Sequence, residues 1–160
     1  MTSPAGYSRL QIALHWIIAL LILLQFLFHE QIETAWEAVQ KGEAQPGGFH
    51  PHALVGIIVL LLVIWRLVLR RRRGAPDLPP GGNPLQDFIA VWNHRILYAL
   101  LVLIPVSGLS AWTTGVQAPA SAHGAMFLLA VLLIALHVIG AAYHQWVLKD
   151  GLIRRMMKAR

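Results

Sequence analysis

Four stretches of the chain are apolar for long enough to cross a bilayer, and that leaves few possible folds. A spanning helix needs roughly 20 predominantly apolar residues. The runs from about Leu10 to Phe28, His52 to Leu69, Phe88 to Trp112 and Ala120 to Leu148 qualify. In hydrocarbon a backbone N–H or C=O finds no water, so such runs fold as helices that satisfy their own hydrogen bonds. The expected fold is all-α: a membrane-spanning four-helix bundle, with residues 1–160 forming one domain. Composition agrees. Only 12% of residues are charged and mean hydropathy is +0.60, whereas a soluble domain carries about 25% charge. One Arg precedes a first apolar run too long for a cleavable leader, and no A-x-A site follows, so the N-terminus reads as retained.

The linkers fit the spans. Residues 29–51, HEQIETAWEAVQKGEAQPGGFHP, are polar and end in Pro and Gly. Residues 70–87, RRRRGAPDLPPGGNPLQD, are basic and then rich in Pro and Gly, and residues 113–119, TTGVQAP, form a short turn. With four spans, both termini and the middle linker share one side. That side holds Arg9, Arg66, Arg70, Arg71, Arg72, Arg73, Arg95, Lys149, Arg154, Arg155, Lys158 and Arg160, against Lys41 alone opposite. Positive charge gathers on the cytoplasmic side, so both termini are expected in the cytoplasm. The net charge of +6 is thus a signal for topology and lipid headgroups, not for nucleic acid. The outer side carries Glu30, Glu33, Glu37 and Glu43.

No cysteine is present, which excludes disulfides, iron–sulfur clusters and thiolate metal sites and leaves eight histidines as candidate ligands. Ionisable side chains inside spans are costly and mark function. The last run, HGAMFLLAVLLIALHVIGAAYH (residues 123–144), holds three of them. His123 sits at its outer end. His137 follows after fourteen residues, which is about 21 Å deeper and within about 40° of the same helix face. His15 lies near the cytoplasmic end of the first span and His52 at the outer end of the second. Each of two depths therefore receives imidazoles from two helices: His52 with His123 outside, His15 with His137 inside. Two haems stacked across a membrane, each with axial imidazoles on opposite faces, need this arrangement, and bundle cores commonly house such sites. A zinc or copper site is the competing reading, but the spans offer no thiolate or carboxylate ligand, and the two pairs lie too far apart to share an ion.

Other residues stay open between two roles. His50, two residues before His52, is the alternative ligand at that end. His29 reads as interfacial; His94 is either interfacial or a neighbour of the cofactor. His144 lies about 10 Å beyond His137, too far to share its iron. With Tyr143 and Trp146 it belongs either to an interfacial aromatic belt or to a quinone site, where imidazole can hydrogen-bond a carbonyl or pass a proton. Arg9, Arg66 and Arg70 either pair with haem propionates or anchor the helices at the headgroups. Gly56, Gly124 and Gly140, close to the ligands in sequence, suit a porphyrin or ordinary helix packing. No nucleophile with an adjacent base stands out, so no covalent catalysis is expected.

Taken together, these residues resemble the bacterial cytochrome b561 family. YSRLQIALHW, then PHALVG, then IWRLVLR, then the H-x13-H pair running into LHVIGAAYHQWVLKDGLIRRMM follow that family's order over nearly the whole chain. The resemblance implies a four-helix cytochrome of the bacterial inner membrane with two b haems, ligated at His15, His52, His123 and His137. It also implies a ubiquinone site on the cytoplasmic side near His144. In the superoxide oxidase (superoxide:ubiquinone oxidoreductase) branch of the family, it implies that an electron from superoxide outside crosses both haems to ubiquinone. The outer side departs from that picture: a superoxide enzyme gains from positive charge that steers the anion, and here four Glu face one Lys. A second reading is a haem-bearing anchor subunit for a partner dehydrogenase or hydrogenase, docked on the acidic outer linker with Trp36. A third is a small transporter using the histidines as an ion path, although no pair of broken helices marks one.

Overall fold

The computed structural model describes residue 4, residues 6–77 and residues 83–159. Residues 78–82, read above as linker, and Arg160, counted with the basic side, lie outside these. Helices run Arg9–Leu27 (α1), His29–Gln40 (α2), Pro51–Arg73 (α3), Pro84–Thr114 (α4) and Gln117–Tyr143 (α5). A π-helical turn, His144–Leu148, extends α5, and a 3-10 turn follows at Ile153–Met156. The protein is all-helical over the described residues, and α1, α3, α4 and α5 are long and apolar enough to cross a membrane.

Local chemistry sets the helix starts. Ser8 and Gln11 form a reciprocal capping box on α1, each side chain satisfying the other's backbone N–H. Asn83 caps α4 by accepting from the Leu85 N–H at 2.9 Å, with Pro84 in the first turn and Asp87 near the positive helix end. His50 caps α3: its Nδ1 accepts from the His52 N–H at 3.2 Å, and Pro51 follows. Gly115, at φ 70, ends α4 in the left-handed region that glycine enters freely.

The polar linker over 29–51 holds a helix of its own before its Pro and Gly. Its first part is α2, whose Ile32, Ala35, Trp36 and Val39 recur at helical spacing and are half-buried while its glutamates are exposed. The α2 face lies over the α4–α5 turn, where the Gln40 amide donates to the Gly115 carbonyl at 3.0 Å. Residues beyond it are clipped to the end of α4: the Gly47 N–H donates to the Trp112 carbonyl and the Trp112 indole to the Gly48 carbonyl, both at 2.7 Å.

In the bundle α1 packs on α3, α3 on α4 and α4 on α5. Ile18, Val59 and Val63 form the buried core, flanked by Leu21, Val55, Leu62 and Leu101. Outward residues such as Leu128, Leu132 and Ile139 are more than 60% exposed, as suits helices whose solvent is lipid. Apolar burial gives little drive between helices there, so packing and a few hydrogen bonds hold them. One such bond runs from the Gln25 amide of α1 to the His52 carbonyl of α3, at 2.9 Å. Between α1 and α5 the contacts include rings: Phe26 stacks on Phe127 at 6.0 Å, and His15 meets His137.

Candidate functional site

The four histidines sorted by depth meet in the expected pairs. His15 of α1 and His137 of α5 have ring centres 6.2 Å apart, toward the Arg-rich end. His52 of α3 and His123 of α5 have ring centres also 6.2 Å apart, toward the acidic end. Two imidazoles bonded to one metal from opposite sides, at about 2.0–2.1 Å each, place their ring centres roughly 6 Å apart. Both pairs fit that geometry. Among the described residues no group of three or more His, Cys, Asp or Glu could hold an ion. A metal set between either pair would find two imidazoles and would have to bring its remaining ligands with it, as a macrocycle does.

Hydrogen bonds fix which nitrogen is free. The His123 Nδ1–H donates to the Ile104 carbonyl of α4 at 2.8 Å, leaving Nε2 with its lone pair. The buried Nδ1 of His52 has no partner among the described residues, an orphan that water or a bound group must satisfy. His50, the alternative to His52, is occupied as the α3 cap, and its ring sits 5.5 Å from Trp112. His94 joins the inner pair: its ring lies edge-on to His137 at 4.9 Å, and its Nδ1–H donates to the Ala90 carbonyl at 2.6 Å. Beside it, the buried Asn93 has an Oδ1 with no partner among the described residues.

The three candidate propionate arginines fall in different settings. Arg66 is half-buried, donates from Nε to the Tyr98 hydroxyl at 3.2 Å and from Nη1 to the Gln11 carbonyl, and lies within electrostatic reach of His15 and His137. Arg70 is more exposed and holds its guanidinium 5.7 Å from the Tyr98 ring centre. These two, with Tyr7, Gln11 and Tyr98, line a small cleft at the basic end. Arg9 is exposed on the first turn of α1.

Sequence reasoning placed His144 near the basic end without a partner. It has one: the His144 Nδ1–H donates to Asp150 Oδ2 at 2.5 Å. Asp150 Oδ1 accepts from the Leu152 N–H at 3.0 Å. Burial pushes the Asp150 carboxyl up, but the hydrogen bonds from His144 and Leu152 and the nearby Arg155 charge outweigh it and hold it below its ordinary value. The chain reaches this geometry because Lys149 (φ 54) and Gly151 (φ 74) both turn in the left-handed region. Tyr143 stands perpendicular to His144 at 6.3 Å, whereas Trp146 is 71% exposed. Of the three residues considered for quinone, the structure brings two together and leaves the indole largely at the surface.

The glycines divide unexpectedly. A Cβ on Gly124 or Gly140 would meet nothing within 4 Å, and one on Gly56 only the Gln25 amide at 3.9 Å. The protein's own packing demands none of these three. The glycine that packing does demand is Gly108, where a Cβ would lie 2.7 Å from the His123 ring. Gly108, against His123, and Asp150, bonded to His144, are the neighbours of the candidate site that sequence reasoning missed. The signal in each case was faint: a small residue in an apolar run, and a lone acid shortly after the last span.

Comparison with known proteins gives one direction. Residues 6–159 match the family model described as prokaryotic cytochrome b561. The chain is similar to cytochrome b562 of Cereibacter sphaeroides, with 40% identity over 162 residues and all of both chains covered. It is 28% identical to the probable superoxide oxidase CybB of Yersinia pestis, over 94% of this chain and 95% of that one. It is 26% identical to cytochrome b561 homolog 1 of Escherichia coli K12, over 96% and 98% of the two chains.

Proposed function

This chain belongs to the prokaryotic cytochrome b561 family, and from that premise we propose that it carries single electrons across the bacterial inner membrane from an outer donor to quinone. Membership and four apolar helices make it a multi-pass membrane cytochrome with haem b. The finer reading rests on one observation: four histidines from three helices form two facing pairs with the same 6.2 Å separation. His52 with His123, and His15 with His137, hold one haem b each, in a chain that acts as one four-span domain. A haem so held supplies a one-electron iron couple whose potential answers to its ligands and their burial.

The residues around the pairs do the rest. Arg66 offers positive charge beside the inner pair, where propionates would otherwise face apolar side chains. The Arg-rich end lies in the cytoplasm, by the asymmetry of Lys and Arg. Quinone sits at that end near His144 and Tyr143. Imidazole can donate a hydrogen bond or a proton near neutral pH, and Asp150 holds it in place. The balance with superoxide as donor is simple. Two superoxide anions each lose one electron and leave as dioxygen, and one quinone takes those two electrons with two cytoplasmic protons to become quinol. Similarity to the superoxide oxidase relative supports this donor.

The acidic outer face favours a second reading, in which the donor is a partner dehydrogenase or hydrogenase subunit. Glu30, Glu33 and Glu37 are exposed on α2, which repels a small anion and suits a basic protein surface. Sealed vesicles holding the purified protein and ubiquinone separate the two. If superoxide generated outside forms ubiquinol in wild type and not in His123→Ala, the first reading stands. If superoxide reduces no haem and an outer-face dehydrogenase does, the second stands. Haem reduction from either donor with no ubiquinol formed overturns the quinone as acceptor.

A further inference from the structure

We propose that Gly108 is the positioning residue of the outer ligand: with the Ile104 carbonyl it forms a socket on α4 that fixes the plane and tautomer of His123 on α5. The proposal rests on reading His123 as an axial ligand. Two contacts define the socket. A Cβ on Gly108 would lie 2.7 Å from both Cε1 and Nδ1 of the His123 ring and 3.6 Å from its Cγ. Carbon atoms do not approach that closely, so the ring rests against bare helix backbone. A side chain would ordinarily escape such a clash by rotating. Here rotation breaks the 2.8 Å bond from the His123 Nδ1–H to the Ile104 carbonyl. That carbonyl belongs to the turn before Gly108 and also accepts the Ser107 hydroxyl at 2.9 Å, so it is itself held.

The bond has a chemical consequence. An imidazole that donates Nδ1–H to a carbonyl is fixed as the tautomer with a free Nε2 and is a stronger electron donor through it. Stronger donation favours the oxidised form of a bound metal, so the socket sets the outer site's potential as well as its geometry. Gly124 supplies the contrast. It neighbours His123 in sequence, yet a Cβ there meets nothing within 4 Å.

The test uses the holoprotein in four forms: wild type, Gly108→Ala, Gly124→Ala and His123→Ala. Haem content, the low-temperature electron paramagnetic resonance spectrum and a redox titration are read for each. Gly108→Ala is expected to keep the inner haem while the outer one is lost, or retained with a shifted resonance and a higher midpoint. Gly124→Ala is expected to match wild type. An unchanged outer resonance and midpoint in Gly108→Ala overturns the proposal, as does equal loss of both haems. A further pair, His123→Gly with and without Gly108→Ala, is given external imidazole. A free imidazole is not tethered to α5, so it is expected to restore the outer haem in both. The same outer resonance and midpoint in both forms would show that Gly108 does not set the plane of the ring and would overturn the proposal. If His123→Ala itself retains the outer haem, the ligand reading fails, independently of any result at Gly108.

Discussion

His144 has one nitrogen committed to Asp150 at 2.5 Å, and in the proposed function its Nε2 is the atom that meets a quinone oxygen. A hydrogen-bonded carboxylate orients the ring and fixes which nitrogen faces outward, and a positioned imidazole can act as a general acid. His144→Ala is therefore expected to keep both haems and their spectra while slowing oxidation of the reduced haems by a short-chain quinone by about 100-fold, the lower range of general-acid effects. Stopped-flow comparison with wild type checks this. Equal rates would return His144 to the interfacial belt. Asp150 adds a pH dependence. Its carboxyl is held below the ordinary value of 3.8, mainly by His144 once burial is overcome. The ionised carboxylate therefore stabilises the fold above that value, and its contribution is lost as pH falls through the lower folded value. Cleavage of the tail after Leu148 by an acid-stable protease is expected to accelerate in wild type as pH falls below the ordinary carboxylate value of 3.8, and to be fast throughout in Asp150→Ala. The pairing of the four histidines was legible in the sequence because helix rise converts residue number into depth. Neither Asp150 nor Gly108 was. Asp150 reaches His144 only through left-handed turns at Lys149 and Gly151, and Gly108 meets His123 only through the rotation of α4 against α5.

At the level of elements, α5 supplies one histidine to each pair, while α1 and α3 supply one each. Losses are expected to be selective. His52→Ala or His123→Ala removes the outer haem alone, and His15→Ala or His137→Ala the inner haem alone, as read from reduced-minus-oxidised spectra. Loss of the same haem from His15→Ala and His123→Ala would break the pairing. The linker is held by Trp112, a nearly buried ring whose indole bonds the Gly48 carbonyl at 2.7 Å and which faces His50 at 5.5 Å. Trp112→Ala is expected to destabilise the acidic end by about 3–5 kcal/mol, the usual loss for a large buried aromatic. A lowered melting temperature in detergent and faster cleavage within residues 41–50 check it, and an unchanged melting curve would contradict it. The periodic Ile32, Ala35, Trp36 and Val39 already encoded α2. Its three glutamates and short length concealed it among polar linker residues, because a helix lying on a surface needs neither the length nor the uniform apolarity of a span. The spans themselves were plain, since a continuous apolar run of about 20 residues satisfies its own backbone in lipid as a helix.

For the whole molecule, charge and chemistry point the same way. Among the described residues, eleven of the twelve Lys and Arg belong to the end that holds His144, and Lys41 to the other. A reporter fused to the C-terminus that is active only in the cytoplasm is the expected outcome; activity only in the periplasm would invert the direction of electron flow. Every part of the account nonetheless depends on each facing pair of imidazoles holding its own haem. The most direct measurement is the pyridine-haemochrome content of the purified protein divided by its concentration from amino-acid analysis. Two b haems per chain is the result predicted from the two pairs 6.2 Å apart. One haem per chain, or none, in protein that is folded and fully loaded would contradict it.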